Sequence, residues 1–375
     1  GKATEVLHAG EKVVVHAGVY RETVRPVRSG ESEYKMIGYE AAPGQTVIVS
    51  GAEVLKTDWS VSIAPNKQPF SLKLWQTSLP ELQEGTANLF ALPNATDREM
   101  ELMPWAHDWK GYEPYTLPRG MIFQNDRRMT QVTEYYDLIK ISGSYWVTAD
   151  GKTLHIHPFD EADPNKETIE VTVRQHLLKP VSAGTSFIHL NGFRFEKAGN
   201  GFARIGTGAV FVNGGHHWII EKNNVRQCNS VGIEIGARVT ESSVSSVEEN
   251  KRVKAHPGAF IVKDNEVYDC GTGGIQGHTN LNTLVWNNYI HDIGWQDAER
   301  YWECAAIKIL IDENTIVCGN VIHNIQAASA IWLDWDIRNS RITRNLIFNI
   351  APNYNGAVFI EAAQVPNFID NNFFW

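Results

Sequence analysis

The chain has 375 residues, 43% of them hydrophobic and 21% charged, with a formal net charge of −9, a composition that suits two or three ordinary domains or one elongated repeat domain with an insertion. The acidic balance and the lack of any Lys/Arg run disfavour a nucleic-acid partner and weigh against a polyanionic sugar. No apolar run reaches the roughly 18 residues of a membrane span, and no C-x-x-C spacing suggests zinc, so neither a membrane, a metal nor any other cofactor is expected.

In chain order, a strand at Val13-Val14-Val15-His16 leads through a turn at Ala17-Gly18 to a second strand ending at Tyr20. Short strands are expected again at Tyr34 to Tyr39 and Thr46 to Ser50, without helical periodicity between them. That rhythm fits a β-solenoid better than βαβ units. The chain opens just before its first strand and closes at Phe373-Phe374-Trp375 within a strand-like pattern, so a longer natural chain is expected and localisation stays open.

Between about Thr57 and Gln175 the rhythm breaks. Trp59, Trp75, Trp105, Trp109 and Trp146 fall here, with a hairpin pattern pairing Ser144–Val147 and Thr153–His157 around Asp150-Gly151. The stretch reads as an inserted β-rich lobe whose tryptophans either line a sugar site or form the lobe's own core. The expected division is 1–56 for the first coils, 57–175 for the lobe and 176–375 for the β-helix that carries the site.

From Phe187 the rhythm returns. The pattern Asn-x-(Val/Ile/Phe) recurs at Asn223, Asn265, Asn288, Asn320, Asn345 and Asn371, with spacings of 42, 23, 32, 25 and 26 residues. Such a period is a coil repeat with loop insertions, and an Asn at a fixed corner can hydrogen-bond the Asn of the next coil. Cys228 and Cys270 fall at equivalent places in successive coils, as stacked buried side chains rather than as a disulfide. A second repeated strand follows at Ile233-Glu234-Ile235, Ile275-Gln276-Gly277, Ile307-Lys308-Ile309, Ile331-Trp332-Leu333 and Val358-Phe359-Ile360. Its flanking residues face inward and its middle residue outward, by the two-residue period of a strand. With the favoured hand of parallel crossovers, the fold class is all-β, a right-handed parallel β-helix.

This registration puts Glu234, Gln276, Lys308, Trp332 and Phe359 in one outward column, and Gly236, His278, Leu310, Asp334 and Glu361 in the next. Adjacent rungs lie about 4.7–4.9 Å apart, so the Asp334 and Glu361 carboxyl groups are expected about 5 Å apart. Retaining glycosidases use a separation of about 5–5.5 Å, with one carboxylate as nucleophile and the other as acid/base. A lone outward carboxylate is ordinarily just solvated, but two stacked like charges repel and push one pKa up, a cost usually tied to function or a compensating cation. Lys308 could be that cation in a purely structural pair. In the catalytic reading Asp334, between Trp332 and Trp335, attacks the anomeric carbon, and Glu361 protonates the leaving oxygen. Asp336 has the same outward parity and is the competing nucleophile.

The strings Ile331-Trp332-Leu333-Asp334-Trp335 and Val358-Phe359-Ile360-Glu361 resemble glycoside hydrolase family 120. So do Val15-His16-Ala17-Gly18-Val19-Tyr20-Arg21-Glu22, Tyr268-Asp269-Cys270-Gly271 leading to Gly277-His278, Ala162-Asp163-Pro164-Asn165, and Glu303 five residues before Lys308. Members of that family are right-handed β-helix β-xylosidases that retain anomeric configuration. The resemblance implies Asp334 as nucleophile, Glu361 as acid/base, Glu303 as a further active-site carboxylate and Trp109 as an aromatic wall of the sugar pocket. With Lys308, His278, Trp332 and Trp335 these make up the candidate site. The chain departs from the family pattern in the longer turn from Ala351 to Gly356, which bears on substrate choice.

The expected partner is an oligosaccharide or polysaccharide-derived substrate, and a homo-oligomer stays open. The competing readings are a β-helix polysaccharide lyase drafting Lys308, Glu303 and His278, a glycosidase for another sugar such as a fucoside or arabinoside, and a non-catalytic sugar-binding β-helix.

Overall fold

A computed structural model describes residues 2–64, 72–79, 87–96, 113–202, 206–236, 258–298, 304–353, 355–363 and 365–375. Three parallel sheets run along one axis. The first begins with Lys12–Val15 and Ile37–Ala41 and ends at Phe368–Asp370; the second runs from Gly18–Tyr20 to Phe373–Phe374; the third runs from Val210–Phe211 to Val358–Ile360. Ile37–Ala41 pairs directly with Ile188–Asn191 and Val47–Ser50 with Arg194–Ala198, so the chain leaves the solenoid after Ser50 and returns to it by Leu178. The architecture is the parallel β-helix expected from the Asn and Ile repeats.

The inward columns explain its cohesion. In the third sheet Ile233, Ile275, Ile307 and Ile331 stack in register and are fully buried, beside a second column holding Ile235, Ile309 and Leu333. Each such side chain contributes about 1.5–3 kcal/mol by leaving water, and together they form one core with the inward residues of the other two sheets. Cys228 and Cys270 stack in the second sheet as free, buried thiols.

The corner between the first and second sheets is held by an asparagine ladder. Each Oδ1 of Asn265, Asn288, Asn320, Asn345 and Asn372 accepts both the backbone N–H and the side-chain N–H of the preceding ladder residue, at 2.9–3.1 Å. Each Nδ2 also donates to a first-sheet carbonyl, such as Val285 O from Asn320 at 3.1 Å. The last member is Asn372, which corrects the expectation of Asn371. The residue before each ladder Asn is left-handed: Asp264, Asn287, Gly319 and Arg344 have φ of 54°, 54°, 64° and 58°, and Asn371 takes that position with φ of 54°. Pairing of Leu346 with Phe373 fixes the assignment.

The lobe contains a five-stranded and a four-stranded sheet. The expected hairpin is present, Ser144–Val147 antiparallel to Thr153–His157, and Ala52–Val54 joins the smaller sheet against Ile169–Thr172. Trp59 and Trp75 lie in the lobe's core, and Trp146 packs on a second small cluster. Trp59 and Trp75 are core residues rather than sugar platforms, and Trp146 is half-buried. The lobe folds back onto the coils: Arg128 bonds Asp269 at 2.9 Å and stacks 3.7 Å from the Trp295 ring centre, Asn229 donates to Asn94 Oδ1 at 2.7 Å, and the Tyr115 hydroxyl reaches Ala298 O at 3.3 Å.

Replacing a ladder residue leaves buried groups unpaired on both sides. Asn320→Ala removes the acceptor for two N–H groups of Asn288 and the donors to Val285 O and Asn345 Oδ1. At about 1–3 kcal/mol per unsatisfied buried group, the expected loss is about 3 kcal/mol or more in urea unfolding; a loss below about 0.5 kcal/mol would mean the ladder contributes nothing.

A different corner carries a carboxyl. Fully buried Asp312 accepts from Asn280 N at 2.6 Å, Asn280 Nδ2 at 3.2 Å and Thr315 Oγ1 at 3.0 Å, yet burial outweighs these donors and pushes it up to about 7. A folded pKa above the unfolded one means stability that is complete below about pH 4 and lost as pH rises to about 7. Asp312→Asn has no such loss, so its stability relative to the natural chain should improve by about 2 kcal/mol between pH 5 and pH 8. Urea unfolding at both pH values measures the difference, and an offset independent of pH would contradict it.

Candidate active site

The third sheet sets the outward columns. Phe211, Glu234, Gln276, Lys308, Trp332 and Phe359 follow one another in register, as do Gly236, His278, Leu310 and Asp334. The registration matches the one read from the Ile repeats. Solvation does not: Glu234, Lys308, Asp334 and Trp332 are only 1%, 2%, 5% and 8% exposed. Glu234 shows how an outward side chain becomes buried. The turn at 206–208 lies over it and gives its carboxyl three backbone N–H bonds, from Gly206 at 2.6 Å, Thr207 at 2.8 Å and Gly208 at 2.7 Å. Burial still pushes its carboxyl above the ordinary range.

Asp334 ends the strand Ser329–Asp334, and its Oδ2 lies 2.8 Å from Lys308 Nζ on the preceding rung. The same ammonium stands 3.7 Å from the Trp332 ring centre. Trp332 in turn meets Phe359 with ring centres 5.1 Å apart, and its buried indole N–H has no hydrogen-bond partner among the described residues. A buried carboxylate, an ammonium and an aromatic pair therefore share three successive rungs.

Glu361 continues the next strand. Leu333 pairs with Ile360, and Glu361 N donates to Leu333 O at 2.9 Å, so Glu361 follows on the rung beside Asp334. It is half-buried. The rival Asp336 is otherwise engaged, because Arg338 grips both its oxygens at 3.1 and 3.0 Å. The sequence reading missed this clamp, though an Arg two residues beyond an Asp in a turn is a legible sign of it. Trp335 has φ of 30° and is 41% exposed, so it stands toward solvent where Trp332 is enclosed. His278 lies two rungs before Asp334 in the same column, buried, with Nδ1 2.5 Å from Thr279 Oγ1. Glu303 and Trp109 lie outside the described residues. Among the described residues no group of three or more His, Cys, Asp and Glu side chains could hold a metal ion.

The family model "Right handed beta helix region" matches residues 208–374. The structure of XylC in complex with xylose is similar at a TM-score of 0.82 and 26% identity, covering 99% of this chain and 61% of that one. The chain thus spans less than two thirds of that protein's length. A GH136 lacto-N-biosidase from Eubacterium ramulus aligns at a TM-score of 0.48 and 10% identity over 98% of this chain and 62% of its own. A structure described as a glycoside hydrolase aligns at 0.45 and 12% over 96% and 90%. Neither of these two carries any argument. No curated protein matches the sequence. The XylC likeness and the family model agree on a right-handed parallel β-helix, the fold that the resemblance to glycoside hydrolase family 120 implies.

Proposed function

We propose that the chain is a retaining glycosidase acting on β-linked xylose or xylo-oligosaccharides. The observation that carries the reading is the placement of Asp334 and Glu361 on adjacent rungs, tied by the Glu361 N to Leu333 O bond. Rung spacing of about 4.7–4.9 Å suits the carboxyl separation that double displacement needs. The likeness to XylC, solved with xylose bound, favours xylose as the sugar.

In the first step Asp334 attacks the anomeric carbon while the bond to the leaving oxygen breaks and Glu361 gives that oxygen its proton. In the second, Glu361 takes a proton from water, whose oxygen attacks the same carbon and expels Asp334. Lys308 fixes the Asp334 carboxylate in place, and the Trp332 and Phe359 rings offer an apolar face with one indole donor beside it. The lyase reading is weaker because Lys308, its base, is already engaged by Asp334.

The two carboxylates should fail differently when removed. Asp334→Ala should abolish turnover of every glycoside, since no covalent intermediate forms. Glu361→Ala should still be glycosylated by nitrophenyl β-xyloside, giving a burst and then slow turnover, and azide should restore its rate with a glycosyl azide of retained configuration. Azide rescue of Asp334→Ala with retained product, together with rescue of Glu361→Ala with inverted product, would reverse the roles.

A second set separates catalysis from a purely structural ion pair. Lys308→Met alone should destabilise the fold by about 3–5 kcal/mol by leaving a buried carboxylate unpaired, whereas Lys308→Met with Asp334→Asn should recover most of that loss. The recovered double variant should remain inactive. Activity in a stable double variant would show Asp334 to be scaffold only.

A further inference from the structure

The first coils and the lobe line an open pocket of about 620 Å³, a size that takes a small molecule. Two of its residues head the outward column of the third sheet. Parallel bridges join Val24 to Leu178 and Leu178 to Val210, so the residues that follow, Arg25, Lys179 and Phe211, stack as the column's first members. Arg174, Gln175 and His176 come from the segment that leaves the lobe after Ile169–Thr172. Four basic side chains, Arg25, Arg174, His176 and Lys179, therefore line one cavity in a chain whose net charge is −9.

Among the described residues two carboxylates act on them, Glu53 on Arg174 and Glu234 on Lys179. Glu53 bonds Arg174 Nη2 at 2.6 Å, but Arg174 Nη1 is buried with no hydrogen-bond partner among the described residues. Glu234, the carboxylate nearest along the column, is taken up by its three backbone N–H bonds. His176 holds its Nδ1 2.8 Å from Gly208 O and its Nε2 3.4 Å from Lys179 Nζ. That geometry is met by a neutral ring that donates from Nδ1 and accepts at Nε2; burial first, and the Lys179 charge second, hold its pKa at about 4. Burial and the Arg25 charge likewise lower Lys179, and the attraction of Glu234 offsets them only in part. An anion seated among Arg25, Lys179 and Arg174 would relieve this like-charge crowding and give the Arg174 donor an acceptor.

We propose that this cavity binds a small anionic ligand, a sugar acid or a sugar phosphate, with its charged group on Lys179, Arg25 and Arg174. It is separate from the candidate active site. Lys179 and Trp332 are five rungs apart, or roughly 24 Å at the usual rung spacing. The proposal does not depend on the glycosidase reading, because binding is measured without turnover.

The test is isothermal titration of the full chain at low salt with glucuronate, a hexose 6-phosphate, inorganic phosphate and uncharged xylose. At least one sugar anion should bind saturably at millimolar concentration or below and weaken as salt is added, and the stronger anion tells carboxylate from phosphate. Xylose reports on the Asp334 region instead, and its binding should be unchanged by substitutions in the cavity. Lys179→Ala and Arg25→Ala should each weaken anion binding by about tenfold or more, by loss of a charge-assisted bond. Arg25 is exposed, so Arg25→Ala should melt with the natural chain and keep the result interpretable. Failure of every anion to saturate, or equal affinity in both variants and the natural chain, would overturn the proposal.

Discussion

The structure rests on a register that cannot slip. Each ladder asparagine is hydrogen-bonded through its side chain to the backbone and side chain of its neighbour and to a carbonyl of the first sheet, so the corner tolerates one alignment of successive coils. A one-residue slip in any strand would turn the Ile columns outward and the charged columns inward. The relation between Asp334 and Glu361 follows from that constraint, since each sits three residues past the paired Ile331 and Val358. The site is a consequence of the scaffold's register before it is a feature of any loop.

The lobe is tied to the coils by charge pairs beside an apolar contact in which Ala95 and Tyr115 join the core of the coils. Arg226 bridges Asp126 of the lobe and Glu196 of the coils, Lys197 reaches Asp126 and Glu170, and Arg128 reaches Asp269. Partly buried pairs of this kind add modestly to stability but strongly penalise a misdocked arrangement that would leave a charge unpaired. An apolar interface alone would allow the lobe to slide. The pairs instead set one orientation over the second sheet and its turn into the third, where Asn94, Tyr115 and Phe202 complete the contact.

What could be read from the sequence was what repeats locally. The ladder, the inward Ile triplets and both outward columns were legible because each rung restates the same pattern within about 23–32 residues. Asn371 and Asn372 both satisfy the Asn-x-Phe pattern, and only the left-handed turn conformation separates them. The burial of Glu234, Lys308 and Asp334 was not legible, because it depends on which segments fold over the column. The basic cavity was hidden for the same reason: Arg25 and Lys179 are distant in sequence and meet through bridges between single residues of the first coils. The lobe's tryptophans gave no signal of side, and Trp59 and Trp75 turned out to pack within it.

The Lys308–Asp334 pair is an uneconomical way to hold a rung together. Both groups are almost completely desolvated, and a buried ion pair gains little over an apolar pair of similar volume. The same outward column shows the apolar solution at Phe211 and Phe359, which pack without any charge to desolvate. Glu234 in the same column is buried as well, but three backbone N–H groups meet its carboxyl, whereas Asp334 faces a second charged side chain. A desolvated carboxylate becomes worthwhile where its charge is to act on something that enters from outside, because the low local dielectric that makes it costly also strengthens its attraction for developing positive charge. Positive charge develops at the anomeric carbon of an oxocarbenium-like transition state. In the proposed reading, a carboxylate held by an ammonium on one rung and followed by a second carboxylate on the next would meet that developing charge.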